Sequence, residues 1–83
     1  MINILTESGY RLINYDNVSV ICVSPFASPE KGLYLIKVEF TDCSNTYLTK
    51  EGAETDILDK FHKLCTAIAT APLGNVIIDM KNL

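Results

Sequence analysis

The hydrophobic pattern from Ala53 to Ala71 has the period of an amphipathic helix. Apolar side chains recur three and four positions apart along this stretch, at Ile57, Leu58, Phe61, Leu64, Cys65 and Ile68. The opposite side carries the charged residues Glu54, Asp56, Asp59, Lys60 and Lys63. Pro72 and Gly74 follow and favour a helix end. We therefore expect a single helix whose apolar stripe faces the core of the protein.

Two local features support the start and the surface of this helix. Thr49 or Thr55 is expected to cap its first turn, and the sequence does not decide between them. Asp56 with Lys60, and Asp59 with Lys63, place the acid four positions before the base. Each such pair stabilises a helix by roughly 0.2–0.5 kcal/mol.

Short stretches of strand composition lie on both sides of the helix, bounded by Gly, Pro, Asn, Asp and Ser. The predicted strands are Met1–Leu5, Tyr10–Ile13, Val18–Ser24, Leu33–Thr41, Thr46–Thr49 and Asn75–Met80. The strand from Leu33 alternates cleanly, with one apolar face formed by Tyr34, Ile36, Val38 and Phe40. Val18–Ser24 is apolar on both faces, which predicts a central, well-covered strand.

These elements predict one domain over residues 1–83, of the α+β class. We expect an antiparallel β-meander of four to six strands with one amphipathic helix packed on one face. Pro25–Gly32 has the composition of a loop, and its Phe26 ring either folds back onto the core or is held out for a partner; we expect it to fold back.

The last predicted strand has apolar residues on both faces, at Val76, Ile77 and Ile78. A single helix covers only one face of so small a sheet, so this pattern predicts a homodimer with these three residues at or near the contact. Two other placements remain open. The strand pairs at the edge of its own sheet, or it lies in the middle of that sheet with Pro25–Gly32 as a lid.

Composition excludes several function classes. The net charge is −3 over 83 residues, so no direct nucleic-acid binding is expected. The sequence has neither a long apolar run nor the pattern of a signal peptide, which predicts a cytoplasmic protein with no membrane contact. The three cysteines are widely spaced and the chain has one histidine, so no metal site is predicted. The isolated glycines form no phosphate-binding loop, and no cofactor or small-molecule ligand is predicted.

The candidate chemistry centres on His62 and the cysteines. Cys65 follows His62 by three positions on the predicted helix, but it belongs to the apolar stripe, where a thiol is poorly activated. We therefore expect Cys65 and Cys22 to be buried apolar residues, Cys43 to be exposed in a turn, and His62 to flank the core. The acidic residues at the helix start are interpreted as a solvated face, because they do not follow a cation-binding loop pattern.

The residues Arg11-Leu12-Ile13-Asn14-Tyr15-Asp16-Asn17-Val18 resemble the "L-I-N-x-D-N-V" opening of many small uncharacterised bacterial and phage proteins. In those proteins an alternating hairpin closes on an Asp-Gly-Ser-like turn and an acidic helix follows. Asp42-Cys43-Ser44 stands at that turn here, with Cys43 in the place of the usual glycine. The resemblance implies a few strands with one helix and transfers no activity.

The sequence therefore predicts a non-enzymatic binding or accessory module that acts through protein–protein contacts. Its predicted partner is a second copy of the chain or another protein. An acidic regulator or inhibitor of a nucleic-acid-associated protein is the alternative, with the acidic helix face as its working surface. A small thiol or hydrolytic enzyme is the distant alternative.

Overall fold

Seven strands and one α-helix make up the part of the chain that the structure, a computed structural model, describes, residues 1–27 and 29–83. The strands are β1 (Ile2–Leu5), β2 (Leu12–Asn14), β3 (Val18–Pro25), β4 (Leu33–Phe40), β5 (Asn45–Tyr47), β6 (Gly52–Ala53) and β7 (Val76–Asp79). The helix α1 spans Glu54–Ala69. Short 3₁₀ turns occupy Tyr15–Asn17, Pro29–Lys31 and Met80–Asn82. Ser28, within the predicted loop Pro25–Gly32, lies outside the described residues.

The strands form two sheets. The first sheet has the order β2-β1-β7, and the second has the order β3-β4-β5 with β6 beside the other half of β4. The pairs β1–β2, β3–β4 and β4–β5 are antiparallel, whereas β7 runs parallel to β1. The predicted α+β class, with antiparallel strands and one helix packed against them, is confirmed. The described strands exceed the expected four to six, and they divide between two sheets.

The two sheets are joined by a backbone hydrogen bond and share one core. The N–H of Glu7, after β1, donates to the carbonyl of Leu48, after β5, at 2.8 Å. Between them lies a cluster of buried side chains: Ile4, Ile13, Ile36, Val38, Leu48, Ile57, Leu64, Ile78 and Met80. The core therefore draws on both sheets and on the helix.

Between the end of β5 and the start of β6, the side chain of Thr49 makes a hydrogen bond to β4 in place of a strand backbone. The carbonyl of Ile36 accepts from the N–H of Leu48 at 2.8 Å, and the N–H of Ile36 donates to Oγ1 of Thr49 at 3.1 Å. Thr49 is buried, so its hydroxyl satisfies a backbone donor that water does not reach. The prediction that Thr49 or Thr55 caps the helix is wrong, because α1 begins after Ala53 with no side-chain cap.

The helix stripe is narrower than the sequence predicts. Ile57 and Leu64 are buried, and Phe61 and Ile68 pack against the core. Leu58 and Cys65 are exposed, so the predicted burial of these two residues is wrong. The reason lies in the sheet beneath, because α1 packs on β3 and β4 and none of the described strands lies beyond β3 to cover its flank.

The strand β3 departs most from expectation. It pairs with β4 alone among the described strands, so it is an edge strand and the predicted central position is wrong. A register shift between Val18 and Val20 marks a β-bulge near its start. Phe26, just beyond it, is 37% exposed and lies outside the core, contrary to the prediction that it folds back.

Ion pairs attach the helix to its surroundings. Lys63 and Asp59 form the predicted pair, with Nζ and Oδ2 3.0 Å apart. Lys60 instead reaches Glu7 in the turn after β1, at 3.1 Å between Nζ and Oε2, so the predicted Asp56–Lys60 pair is replaced by a tertiary contact. Both partners of this contact are partly buried, and it ties the helix to the first sheet.

Candidate functional site

The predicted self-association segment forms the edge strand β7 of the first sheet. It pairs in parallel with β1, placing Ile2 beside Val76 and Ile4 beside Ile78. Because β7 lies at the end of the order β2-β1-β7, the edge placement left open by the sequence is confirmed. The other placement, in the middle of the sheet under a lid, is wrong.

The three predicted contact residues have different environments. Ile78 is 6% exposed and belongs to the core, Val76 is half-buried, and Ile77 is 62% exposed. Consecutive side chains of a strand point to opposite faces, so Ile77 lies on the outer face of the sheet while its neighbours point inward. Ile77 is therefore the residue of this segment that is available for contact with another molecule.

The backbone of β7 also has a free side. The N–H of Val76 donates to the carbonyl of Met1 at 2.9 Å, toward β1. Successive residues of a strand direct their N–H and C=O groups to opposite sides, so Ile77 directs both groups away from β1. No described strand lies on that side. The edge thus offers hydrogen-bonding groups beside an exposed aliphatic side chain.

A second exposed apolar side chain lies near this edge, and a third lies at the far edge of the sheet. On the outer face Asn3 stands beside Ile77, and β1 separates Ile77 from the exposed Leu12 of β2. Leu73, in the turn that leads into β7, is fully exposed. The sequence carries a weak signal for Leu73, because a large aliphatic residue between Pro72 and Gly74 has no strand or helix to bury it. Leu73 therefore extends the apolar character of the β7 edge.

The strand β7 is short because the side chain of its last residue, Asp79, caps the turn that follows. Oδ1 of Asp79 accepts from the N–H of Lys81 at 3.0 Å, and Oδ2 accepts from Nδ2 of Asn82 at 3.3 Å. This arrangement caps the 3₁₀ turn Met80–Asn82. Asp79 also stands on the outer face beside Leu5, so a charge limits the apolar patch at one end.

Two ionisable groups elsewhere have shifted pKa values with local causes. The negative charge of Glu54, together with a hydrogen bond to its carboxylate, raises the pKa of the Tyr34 phenol. The hydroxyl and the N–H of Ser44 donate to Asp42 and lower the pKa of that carboxyl. Neither group lies on β7. The first interaction links β4 to the start of α1, and the second lies in the turn between β4 and β5.

The candidate nucleophile and base are not arranged as a pair in one cleft. His62 is exposed, and its ring lies 6.1 Å from that of Phe61, centroid to centroid. Cys65 lines a cleft between α1 and β3 that His62 does not line. Cys43 is exposed in its turn, as predicted, and Cys22 is half-buried on β3, less than expected.

Within residues 1–27 and 29–83, no group of three His, Cys, Asp or Glu side chains is placed to hold a metal ion. No helix in the same residues has both the length and the apolar character needed to cross a membrane. Comparison with known proteins gave no match to this chain among protein-family models, curated proteins or solved structures.

Proposed function

We propose that the protein is a non-enzymatic binding module that acts through protein–protein contacts, and that its first partner is a second copy of itself. The observation that carries this proposal is the free edge of β7, where the exposed Ile77 stands beside unpaired backbone groups. Exposed apolar edge strands are templates for another chain, and most homo-oligomers are two-fold dimers. The three free cysteines suit a reducing compartment, so we place the dimer in the cytoplasm.

In the proposed dimer two β7 strands run antiparallel about a two-fold axis at Ile77. Each Ile77 then exchanges N–H···O=C bonds with Ile77 of the second copy, because its backbone groups point outward. The same register places Asn75 opposite Asp79 of the second copy, where an amide donor meets a carboxylate. The two first sheets become one continuous sheet with the two Ile77 side chains adjacent on its outer face.

The size of this contact predicts a weak dimer. Stable complexes bury about 800 Å² per partner, which a strand of four residues does not supply through its edge alone. Leu73 lies nearby, fully exposed, and adds apolar area to the same side. We therefore expect dissociation constants of roughly micromolar size, with a monomer–dimer equilibrium rather than a permanent dimer.

Sedimentation velocity of the full chain, from about 1 to 200 µM, tests this proposal. Ile77→Lys places a charge on the exposed outer face of β7 and is expected to keep the fold while removing the dimer. Val20→Lys is the matched control, since Val20 is an exposed β-branched residue on an edge strand of the other sheet. Far-UV circular dichroism confirms that each variant is folded.

The expected result is a concentration-dependent dimer in the wild type and in Val20→Lys, and a folded monomer in Ile77→Lys. A wild type that stays monomeric at the highest concentration overturns the dimer. A dimer of unchanged affinity in Ile77→Lys would show that another surface makes the contact.

A further inference from the structure

A cleft of about 420 Å³ lies where the end of the β4–β5 hairpin meets the segment that precedes β2. The N–H of Thr41 donates to the carbonyl of Asn17 at 3.0 Å, which holds the hairpin against the 3₁₀ turn before β3. The volume falls in the range of roughly 300–1,000 Å³ that is usual for small-molecule sites. None of the lining residues belongs to β7, so the inference does not rest on the proposed dimer. The cleft is lined by Arg11, Asn17, Phe40, Thr41, Asp42 and Ser44.

The Arg11 guanidinium is the positive group of the cleft. Its Cζ atom lies 6.0 Å from the centroid of the Phe40 ring, and this cation–π contact orients the side chain. Within residues 1–27 and 29–83 the ion pairs are formed by lysines, so the guanidinium has no carboxylate partner there. Its N–H donors, which suit a carboxylate held by two parallel hydrogen bonds, are therefore available to a ligand.

The Asp42 carboxylate is the negative group of the cleft. The hydroxyl and the N–H of Ser44 donate to Oδ1 of Asp42, at 2.5 and 2.9 Å, and hold the carboxylate in place. Both bonds end on Oδ1, which leaves Oδ2 for another donor. Arg11 is not that donor, because the ion pairs of the described residues do not include it. The cleft therefore holds two opposite charges that are fixed by separate contacts and are not paired with each other.

We infer that this cleft binds a small zwitterion of the amino acid class, whose carboxylate contacts Arg11 and whose ammonium group contacts Oδ2 of Asp42. A guanidinium donates two parallel hydrogen bonds to a carboxylate, and an ammonium group carries three donors. The carbon atoms of the ligand span the space between the two charged side chains. Asn17 and Thr41 line the same cleft and add polar side chains around the ligand.

Charge and surface character select this ligand. A molecule with a single charge is attracted by one of the two charged side chains and repelled by the other, whereas a zwitterion is attracted by both. A protein partner fits less well, because stable protein contacts bury about 800 Å² per partner around an apolar centre. None of the exposed large apolar side chains of the described residues lines this cleft. The cleft therefore suits a small polar molecule.

The test is an NMR titration of the full chain, followed through its backbone amides, with glycine, β-alanine and γ-aminobutyrate. These zwitterions carry the same two charges at increasing separation, so the one that binds most tightly measures the gap between Arg11 and Asp42. We expect saturable shifts at the amides of Arg11 and of residues 41–44, with a dissociation constant of roughly 1 mM for that ligand. Acetate and methylammonium, which carry one charge each, are expected to bind about tenfold more weakly. Low ionic strength is used, because salt screens exposed charges.

Two variants separate the two contacts. Arg11→Gln removes the positive charge, and Asp42→Asn removes the negative charge while keeping an oxygen that accepts from Ser44. Each variant is expected to weaken binding of the tightest zwitterion about tenfold. Lys81→Gln and Asp56→Asn are the matched controls, because they make the same changes of charge at exposed positions outside the cleft. Amide spectra that are unchanged away from the cleft show that each variant is folded.

Three results overturn the inference. One is the absence of saturable shifts at residues 41–44 with each zwitterion at about 50 mM. Another is acetate or methylammonium that binds as tightly as the best zwitterion, which would make the cleft a site for a single charge. The third is unchanged zwitterion binding in Arg11→Gln or in Asp42→Asn, which would place the ligand elsewhere on the chain.

Discussion

Replacing Thr49 with valine should destabilise the protein, although valine favours strands and is more apolar. The two side chains have nearly the same shape, so the expected cost comes from losing the hydroxyl and not from a change of volume. The change removes the oxygen that accepts the N–H of Ile36 at 3.1 Å. That donor lies in the central strand β4, at the gap between β5 and β6, where Ile36 is fully buried.

The magnitude follows from these contacts. A buried donor left without a partner costs about 1–3 kcal/mol. The methyl group that replaces the hydroxyl is buried, since Thr49 is only 7% exposed, and its burial offsets roughly 0.8 kcal/mol of this cost. The expected net loss is therefore about 0.2–2.2 kcal/mol in the free energy of unfolding. For a domain of this size that corresponds to a fall in Tm of roughly 1–18 °C.

Urea unfolding followed by circular dichroism measures the loss, and hydrogen exchange of the Ile36 amide identifies its cause. Thr49→Ser is the control, because it keeps the acceptor oxygen and loses only a methyl group. The Ile36 amide should exchange faster in Thr49→Val and stay protected in Thr49→Ser. A valine variant as stable as the wild type, with Ile36 still protected, would refute the assignment of this hydrogen bond.

Four further predictions follow from the structure. Leu64→Ala should cost about 2–5 kcal/mol in urea unfolding, because Leu64 is fully buried, whereas Cys65→Ala beside it should cost much less. His62→Ala should leave the unfolding midpoint nearly unchanged, because the ring is exposed; a large shift would contradict this. The Asp42 carboxylate stabilises the turn fully above pH 3.8, the ordinary pKa of its side chain. Because the pKa is lowered in the folded protein, this stabilisation should be lost as the pH falls below 3.8 and through the lowered pKa. Equal acid sensitivity of unfolding in Asp42→Asn would contradict this prediction. Cys43→Gly should raise the midpoint slightly, because Cys43 has φ of 72°, where a side chain is strained; a lower midpoint would refute the strain.

Hydrophobic periodicity predicted burial correctly in elements that have one apolar face and one polar face. Ile57 and Leu64 are buried as the 3.6-residue period indicates, and Ile36 and Val38 as the alternation of β4 indicates. Ile77 and Ile78 show where this reasoning ends. In a strand with three consecutive apolar residues, either face is suited to burial. Which face is buried depends on how the strand pairs with β1.

The edge position of β3 was not predictable from its composition. The sequence shows which side chains are apolar, but the free edge is defined by backbone groups that are the same in every residue. The stretch Val18–Ser24 therefore indicated cover on both faces and said nothing of a missing neighbour strand. Likewise the role of Thr49 depends on Ile36, a partner that only the tertiary fold supplies.

The parallel pairing of β1 with β7 has a consequence for the order of folding. The amino group of Met1 meets the carbonyl of Gly74 across 73 positions of sequence, whereas β3, β4 and β5 pair through short connections. Closing so long a loop costs about 4 kcal/mol in chain entropy beyond a constant, and nonlocal pairing slows folding. The second sheet should therefore form first with α1, and β7 should join last. Until it does, β1 and β2 are an isolated hairpin, which is marginally stable in water. The transient species in folding thus exposes the edge of β1 that β7 later covers, and an unpaired strand edge promotes aggregation.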